Sequence, residues 1–551
     1  MSITDVLIVG AGPTGLALAI WLTKLGVAVR IIDKAATLAT TTRALAVQAR
    51  TLELYAQIGR LGDAVAARSA HLTGPNLWVG GTRRARLDFA DVAVGMTAYP
   101  YIAILPQDEH EQLLVDRLCS LGVVVERGTR LESFVEDVEA ASVRAVLQKG
   151  GGEEEEEEEE EEICEARYVA GCDGAHSDVR RIMGTGFPGD TYEQVFYVAD
   201  IEATGPAMNG ELHLCVDSHD FLGVIPLAGK QCARLIGIVT PPPPPSESSP
   251  ASSSSSSSAS TSPTPPHAST FEHVRGRAVD ELKLQNIHVN WFTTYRAHHR
   301  VANRFRQGRA LLLGDAAHIH SPAGGQGMNT GIGDAVNLAW KMAAVLDGRA
   351  PDSLLDTYEQ ERGRFARTLV DTTDRAFGFM TKRGWLAGWI RSAFAAYVMP
   401  VLFCFRAVRR RAFCGLSQFV LDYAGSALTG ADAAAAAAAG GTVRAGERVP
   451  WVKIGGGGGG GGQDNHESLQ HIEWQLHVYG TAREQLIVWC KANGMRLTVF
   501  EWVAEHASAG FTKDAAYLLR PDTYIALVDA EAEPRNIEQY FSERQICPSS
   551  K

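Results

Sequence analysis

The chain has 551 residues, a hydrophobic fraction of 45% and a charged fraction of 21%, which are ordinary values for a globular protein and exclude a disordered or fibrous one. This length exceeds what one hydrophobic core supports, so two or three domains are expected. The formal charge of -12 includes ten charges from one glutamate run at 153–162, and the rest of the chain is close to neutral, without a basic face typical of nucleic-acid binding.

The nine cysteines are scattered and form no CxxC pair, which favours a reducing compartment and a cytoplasmic protein. The amino terminus runs directly into an apolar strand, so no secretion signal is predicted. The most apolar segment, 393–405, has 13 residues and contains Pro400, whereas about 20 residues are needed to cross a bilayer. We therefore predict a buried helix there and no stable membrane insertion. The arginine cluster that follows at 406–411 keeps a peripheral membrane contact as the alternative.

The amino-terminal part alternates short apolar strands with helical patterns. Strands are predicted at 5–10 and 27–33, and helices at 48–60 and 108–122. From about 190 to 294 the pattern changes to strands with few helices, which indicates a sheet-rich second domain. The first pattern returns at 310–318 and continues into a long helix. The first domain is therefore predicted to be discontinuous.

Five low-complexity runs interrupt this pattern, and none of them can build a core. They lie at 153–162, 241–245, 252–258, 433–439 and 455–462. We interpret the glutamate run and the Pro/Ser runs as insertions in surface loops. The alanine and glycine runs are predicted to mark the approach to a separate carboxyl-terminal unit, with the glycine run as a flexible linker.

A dinucleotide-binding fingerprint stands between the first strand and the first helix. Gly10 permits a tight turn, Gly12 lets the backbone approach a pyrophosphate, and Gly15 lets the helix pack closely on the strand. The phosphates would then lie at the positive end of the helix. Asp33 ends the next strand and is expected to accept hydrogen bonds from an adenosine ribose. This fingerprint by itself does not distinguish FAD from NAD.

A second motif spans 310–341. Asp315 follows an apolar strand at a glycine turn, where a carboxylate can accept hydrogen bonds from a polyol such as a ribityl chain. The loop after it is rich in small residues and leads into a helix, so it can lie against a flat ring and present its amides to negative charge. The predicted cofactor-binding residues of this motif are Asp315, Pro322, Gly324, Gly325, Met328 and Asn329.

This second motif resembles the flavin-binding motif of the class A flavoprotein aromatic hydroxylases, and most closely that of the phenol hydroxylase branch. The resemblance implies FAD as cofactor, with the amides at Met328 and Asn329 facing the flavin. The segment 168–181 is similar to the family's DG motif, which implies that Asp173 supports the pyrophosphate region and NAD(P)H. Arg43 and Gln107 match two further cofactor-contacting positions.

The resemblance also implies the fold class: an α/β protein with a Rossmann-like FAD-binding domain, an inserted mainly antiparallel β-sheet substrate domain and a thioredoxin-like carboxyl-terminal domain. The last is suggested by the segments 445–451 and 518–527; it has no CxxC, which favours a structural role or one in a homodimer. Thr523 replaces the glycine usual in one of its turns. The predicted division is 1–185 and 295–370 for the FAD domain, 186–294 for the sheet domain with an insert at 241–270, 371–440 for a helical segment, and 441–551 for the last domain.

In this family NAD(P)H reduces FAD, oxygen adds at the flavin C4a, and the terminal oxygen of the hydroperoxide is delivered to an electron-rich ring. The implied function is hydroxylation of a small phenolic substrate with O2, without a metal. Tyr295 matches an active-site tyrosine of phenol hydroxylase-like proteins, while the group that deprotonates the phenol stays unassigned. Two alternatives stay open: epoxidation or Baeyer-Villiger oxygenation of a polycyclic substrate, and an FAD-bound scaffold or redox sensor without turnover.

Overall fold

A computed structural model of the chain describes residues 2–38, 44–150, 160–216, 221–227, 231–239, 270–321, 323–381, 385–430, 441–454 and 464–548. The predictions made for Arg43, for Pro322, for 241–269 and for the alanine and glycine runs lie outside these residues.

The strands, in chain order, are β1 Ser2–Val9, β2 Val29–Asp33, β3 Ala46–Val47, β4 Ala70–Leu72, β5 Pro75–Val79, β6 Thr82–Arg86, β7 Ile102–Ile104, β8 Glu126–Arg127, β9 Thr129–Asp137, β10 Ser142–Lys149, β11 Glu160–Gly171, β12 Gly189–Thr204, β13 Leu212–Val216, β14 Phe221–Pro226, β15 Cys232–Ile238, β16 Gln285–Val301, β17 Arg306–Gln307, β18 Ala310–Leu312, β19 His318–Ile319, β20 Gln475–Tyr479, β21 Arg496–Phe500, β22 Ala516–Leu519 and β23 Ile525–Asp529.

The α-helices are α1 Pro13–Lys24, α2 Ala49–Ala56, α3 Leu61–Arg68, α4 Ala90–Ala93, α5 Gln107–Ser120, α6 Asp178–Ile182, α7 Glu272–Leu282, α8 Gly327–Leu346, α9 Asp356–Tyr358, α10 Arg364–Thr381, α11 Trp385–Ala393, α12 Met399–Leu402, α13 Arg406–Leu416, α14 Glu484–Ala492, α15 Ala504–Ala509 and α16 Pro534–Arg544. A π-helical turn, Phe394–Val398, joins α11 to α12.

A sheet with a parallel centre holds the predicted fingerprint. β1 lies between β11 and β2, and β18 and β8 continue the sheet in parallel on the two sides. The second half of β1, Val6 to Val9, is buried, as expected for a parallel strand covered on both faces. Because α1 follows β1 directly and packs against α5 and α8, the loop between β1 and α1 lies at the carboxyl edge of the sheet.

The second large sheet has the order β19-β16-β12-β15-β14-β13-β5-β6 and is antiparallel except where β13 meets β5. One face is covered by α7, whose Val274, Ala278 and Leu282 pack with Tyr197 and Leu235. Alternation along the strands turns the other side chains to the opposite face. The prediction of a mainly antiparallel sheet in this region is therefore confirmed.

The domain boundary predicted at 294 is wrong, because it cuts through β16, which runs unbroken as Gln285–Val301. The same sheet also takes in β5 and β6 from the amino-terminal part and β19 from the second motif. A sheet edge is completed by backbone pairing, and a distant segment can supply that pairing without any compositional signal. The two units are thus interlaced along the chain.

The glutamate run at 153–162 is not a loop throughout. Its last three residues form the start of β11, and Glu160 and Glu162 pair with Lys149 and Leu147 of β10. Glu162 accepts hydrogen bonds from Arg30 at 2.7 and 2.8 Å and forms an ion pair with Lys149 at 2.7 Å. Hydrogen bonds from these cations lower the pKa of Glu162. Charge repulsion in the run is offset there by Lys149 of the adjacent β10 and by Arg30 of β2.

The carboxyl-terminal unit is a four-stranded sheet in the order β21-β20-β22-β23, with β20 parallel to β21 and antiparallel to β22. It is joined to the parallel-sheet unit by a buried charge network. Arg520 donates to both oxygens of Glu361 at 2.6 and 2.9 Å and pairs with Asp522 at 2.6 Å, and Lys341 of α8 lies 2.7 Å from Glu361.

Thr523 keeps the turn that glycine usually makes, although its φ is +67°. Its amide donates to the Arg520 carbonyl at 2.9 Å, and its hydroxyl accepts from Arg50 at 2.7 Å. A left-handed backbone is costly for a β-branched residue, and here the buried hydrogen bond to Arg50 offsets part of that strain.

The segment 393–405 is helical through residue 402, as predicted, but the prediction that it is buried is wrong. Tyr397, Val401 and Phe405 are 68%, 59% and 59% exposed. Hydropathy measures the tendency of a residue to be buried, but packing partners decide whether it is. Among the described residues no single helix is long and apolar enough to cross a bilayer; only the bent pair Leu386–Leu402 and Arg406–Leu416, at 110° to each other, reaches that length and composition together.

Candidate active site

The three fingerprint glycines meet three different surroundings. Gly10 has a φ of +101°, and a Cβ there would lie 2.4 Å from the Cys172 carbonyl oxygen; a Cβ on Gly15 would lie 2.0 Å from the Gly10 carbonyl oxygen. Both positions exclude a side chain. A Cβ on Gly12 would meet nothing within 4 Å. The backbone at Gly12 therefore faces open space, where a ligand can approach it.

The first turn of α1 is suited to an anion. Its N-cap, Gly12, has no side chain to cap the helix, Pro13 starts the helix, and the first turn has no acidic residue. The positive end of the helix dipole thus points into the space beside Gly12. Asp33 lies next to it and accepts a hydrogen bond from the Ala11 amide at 2.7 Å. A carboxylate has acceptor capacity beyond this bond, so Asp33 can also accept from a ribose hydroxyl.

Asp173 lies against the same loop, since a Cβ on Gly10 would come 2.8 Å from the Asp173 Cα. One carboxylate oxygen accepts from the Val179 amide at 3.1 Å, while the other is buried and has no hydrogen-bond partner among the described residues. Burial raises the pKa of Asp173, against hydrogen bonds from Ser177 and Val179. This second oxygen can therefore accept a further hydrogen bond.

The second motif packs tightly onto the first. Gly314 has a φ of +57°, and a Cβ on Gly331 would lie 2.2 Å from the Thr14 hydroxyl oxygen. The α8 helix can therefore cross the start of α1 only because position 331 is a glycine. Asp315 follows Gly314 on the surface of this turn and is exposed. The two predicted motifs thus meet at one edge of the parallel sheet.

A buried ion cluster holds the Gly314 turn in place. Asp334 of α8 accepts from the Gly314 amide at 3.0 Å, from His318 Nε2 at 2.7 Å and from Arg362 Nε at 2.6 Å. Burial by itself raises the pKa of Asp334, but the adjacent Arg362 and His318 hold this pKa below its ordinary value. His318 therefore supports the turn and does not face the ligand space.

The loop at 324–329 is bound to α2 by the side chain of Asn329. Its Oδ1 accepts from the Gln48 amide at 2.9 Å and from the Thr51 hydroxyl at 2.7 Å, and its Nδ2 donates to the Ala46 carbonyl at 2.8 Å. The Asn329 side chain is thus fully engaged with protein, and only its backbone amide can serve a cofactor. Gly324 and Gly325 have φ values of +80° and +60°.

Gln48, Thr51 and His110 were not predicted as site residues, although all three support this loop. Gln48 Nε2 donates to the Gly324 carbonyl at 3.3 Å. His110 lies 3.3 Å from the Met328 sulfur and 2.9 Å from the Tyr55 hydroxyl, and burial lowers its pKa to about 4. Gln48 and Thr51 belong to the segment that contains Arg43. The match of Arg43 to a cofactor-contacting position of the family was a sequence feature that could have pointed to them.

Gln107 lies at the first position of α5, half-buried, and its Nε2 donates to Glu111 at 2.7 Å. Burial raises the pKa of Glu111. This bond directs the amide nitrogen of Gln107 along the helix and leaves its oxygen as the group that a ligand can use.

Tyr295 lies on the face of the large sheet opposite α7. Backbone pairing places it in one row with Phe196 of β12 and Ile238 of β15. Its ring stacks on Phe196 with the centroids 5.5 Å apart, and Phe377 of α10 lies 5.4 Å from Phe196. Tyr192, whose hydroxyl donates to an aspartate of α10, completes this aromatic cluster.

The next row on the same face consists of apolar and small side chains. It contains Leu214, Gly223, Ile236, Val198 and Thr293. Leu214, Ile236 and Thr293 are half-buried, as expected for the wall of a cavity.

One row further, Arg234 donates to both oxygens of Asp200 at 2.6 and 2.7 Å, and its guanidinium carbon lies 5.6 Å from the centre of the Trp291 ring. We call the face of the large sheet opposite α7 the inner face. In these rows it is apolar apart from the charged pair of Arg234 and Asp200. No local sequence pattern distinguishes this pair from other charged residues.

The inner face of the sheet and the loop at 324–329 share a border. Leu45 and Ala46, beside the loop, pack with Ile225 and Leu227 of the large sheet, and a Cβ on Gly325 would lie 3.1 Å from the Ala46 side chain. An apolar face, a glycine loop and a helix N-terminus therefore meet in one region. Within the described ranges, no group of three or more His, Cys, Asp or Glu could hold a metal ion.

Comparison with known proteins agrees with this arrangement. Residues 3–373 match the family model described as an FAD binding domain. The chain is 34% identical over 442 residues to 6-methylpretetramide 4-monooxygenase of Streptomyces rimosus, covering 77% of this chain and 71% of that protein. It is 32% identical over 381 residues to pentachlorophenol 4-monooxygenase of Sphingobium chlorophenolicum, covering 67% of this chain and 63% of that protein.

Among solved structures, the anhydrotetracycline hydroxylase OxyS of Streptomyces rimosus superposes with a TM-score of 0.72 at 27% identity, over the full length of both chains. The family resemblance read from the sequence is thereby confirmed, and FAD is the cofactor to which the family model refers. The chain belongs to the FAD binding domain family, as a member of the class A flavoprotein aromatic hydroxylases.

Proposed function

We propose that this protein is an NAD(P)H-dependent monooxygenase that uses FAD and O2 to hydroxylate an aromatic, phenolic substrate. The observation that carries the proposal is the shared border between the glycine loop beside Gly325 and the apolar inner face that holds Tyr295. A flavin ring on that loop and an aromatic substrate on that face would be neighbours.

The residues present fit FAD. The open backbone at Gly12 and the uncapped start of α1 would receive the pyrophosphate, and Asp33 would accept from the adenosine ribose. Asp315 and the Gln107 oxygen would contact the ribityl chain, and the amides at Met328 and Asn329 would face the pyrimidine edge of the ring. When bound, the flavin supplies the two-electron transfer from nicotinamide and the activation of oxygen.

The chain itself would position the substrate and exclude water. The stacked pair of Tyr295 and Phe196 offers a flat surface for an aromatic ring. The apolar row containing Ile236 would keep the ring dry, which strengthens polar interactions inside the site. The Tyr295 hydroxyl is proposed to orient the phenolic oxygen.

Nicotinamide is proposed to bind transiently at the same domain. The sequence contains no second GxGxxG between a strand and a helix, so a dedicated nicotinamide domain is not expected. The unpartnered oxygen of Asp173 supports a docking place close to the pyrophosphate. We expect substrate to increase the rate of NAD(P)H oxidation by the holoenzyme, since a bound substrate can shift a conformational equilibrium toward the state that binds nicotinamide.

The carboxyl-terminal unit is proposed to be a thioredoxin-like domain with a structural role. Its strand order and the β20-α14-β21 crossover support this assignment. Cys490 is buried, and burial raises its pKa to about 11, which argues against thiol chemistry.

A second candidate is oxygenation of a polycyclic substrate. It is favoured by the 34% identity to a protein named for 6-methylpretetramide and by the full-length match to an anhydrotetracycline hydroxylase. Substrate size separates the two candidates, and both require the same cofactor site.

The test is substrate-stimulated oxidation of NADH or NADPH by the yellow holoenzyme, with the products identified by mass. Phenols, naphthols and tetracyclic phenols are screened in parallel. A product heavier by one oxygen atom supports the proposal, and its ring count decides between the candidates. Stimulation without an oxygenated product, or no stimulation by any phenol, contradicts it. Denaturation must release FAD, and Asp33→Ala should weaken its retention.

A further inference from the structure

An apolar face is exposed along the helical arm from α11 to α12. The large hydrophobic side chains exposed there are Leu386, Trp389, Ile390, Tyr397, Val398, Val401, Leu402 and Phe405. They recur at spacings of three, four and seven residues, so they form one stripe along the arm. Contiguous exposed apolar surface of this kind marks an interaction site.

The arm is held on the protein by its opposite face. Ala395 is buried and packs with Leu77, Val79 and Leu87 of the β5–β6 region. Met399 and Phe403 flank this contact and are partly buried. The exposed stripe is thus presented by an anchored helix, apolar on both sides. No described residue covers it.

The arm and α13 carry positive charges only. Residues 385–416 contain five arginines and no Asp or Glu, in a chain whose net charge is -12. Arg406, Arg410 and Arg411 are exposed, whereas Arg409 pairs with Asp91 at 2.7 Å. The exposed arginines lie on α13, which turns by 110° from the apolar arm, whereas the fifth arginine, Arg391 of α11, is buried. An apolar stripe bordered by unopposed arginines complements an anionic lipid surface.

We infer that α11 to α13 form a peripheral membrane-binding face, which seats its apolar stripe in the interface of an anionic phospholipid bilayer. The arm Leu386–Leu402 would be about 25 Å long and lie in the membrane plane. The bend then brings the arginines of α13 to the lipid headgroups. A second copy of this chain fits less well, because residues 385–416 of that copy contain no Asp or Glu to pair with the exposed arginines.

The experiment uses full-length holoenzyme and vesicles of phosphatidylcholine, with or without about one third phosphatidylglycerol. Co-sedimentation is measured for the wild type, for Trp389→Gln with Val401→Gln, and for Arg410→Ala with Arg411→Ala. The matched control is Val135→Gln with Val138→Gln, since these valines are 71% and 82% exposed elsewhere on the surface. Bound FAD and the melting temperature show that each variant is folded.

We expect the wild type to sediment with anionic vesicles and to stay in solution with neutral ones. The stripe variant and the arginine variant should each bind at least about tenfold more weakly, and the valine control should bind like the wild type. Absence of wild-type binding to anionic vesicles overturns the inference, as does equal loss in the valine control. A concentration-dependent dimer that the stripe variant abolishes would instead assign the face to a second copy.

Discussion

Replacing Asp334 by asparagine tests whether the buried ion cluster holds the flavin site together. Asp334 is fully buried, and its neighbours Arg362 and His318 are 1% and 2% exposed. One carboxylate oxygen accepts from Arg362, and the other accepts from both His318 and the Gly314 amide. An asparagine can accept on one side only. The substitution therefore leaves either a guanidinium or the Gly314 turn facing an NH2 group.

The expected cost follows from this geometry. Breaking a buried ion pair while one partner stays buried typically destabilises a protein by about 3 to 5 kcal/mol. Arg362 keeps its bonds to the Thr330 carbonyl at 3.0 Å and to the Tyr423 hydroxyl at 3.3 Å. We therefore expect the lower end, about 3 kcal/mol, for Asp334→Asn. The loosened Gly314 turn should also release FAD more readily.

Urea unfolding measured by circular dichroism, together with flavin fluorescence, reports both effects. The matched control is Asp347→Asn at the end of the same helix, where Asp347 is 47% exposed and pairs with Arg349 at 2.9 Å. A surface pair of this kind contributes less than about 1 kcal/mol. If the free energy of unfolding of Asp334→Asn lies within about 1 kcal/mol of the wild-type value and the variant retains FAD normally, the cluster does not support the site.

Three further predictions follow from single contacts. Gly12→Ala adds a methyl group to open space, so the apoprotein should have the melting temperature of the wild type. Its affinity for FAD, measured by fluorescence titration, should fall at least about tenfold. An unchanged affinity would exclude a close approach of FAD to the backbone at Gly12. Burial, against the attraction of Glu361, lowers the pKa of Lys341 from 10.5 to about 8. Between these values the unfolded chain binds a proton at this residue that the folded chain does not, so Lys341 should contribute a rise in stability of up to about 3 kcal/mol from pH 8 to 10.5. The difference between the wild type and Lys341→Met in urea unfolding measured across this window should show that contribution. Deletion of 153–159 should leave the melting temperature nearly unchanged, since loop length costs only about 0.6 kcal/mol per doubling. A deletion extended through Glu162 should lower the melting temperature, because it removes the partner of Arg30. Equal melting temperatures of the two deletion variants would contradict the assignment of β11.

Much of the cofactor site was predictable because its chemistry is local. The spacing of Gly10, Gly12 and Gly15 after an apolar strand requires only a turn and a helix, and both form within one short segment. The position of Asp33 at the end of the second strand follows from the usual length of a strand-helix-strand unit. The family resemblance rests on such segments, and the comparisons confirm it.

The tertiary structure alone decided what surrounds these segments. Asn329 meets Gln48 and Thr51 across some 280 residues of chain, and no local pattern encodes such a pair. The boundary predicted at 294 was wrong because β16 obtains its pairing partners from distant strands. The segment 393–405 is apolar by composition, yet its outer face is exposed, since burial depends on whether another element is available to cover it. Sequence by itself thus determined the glycine turns and, through the family resemblance, FAD as the cofactor. Packing over long range decided the polar partners of the loop and the face left uncovered.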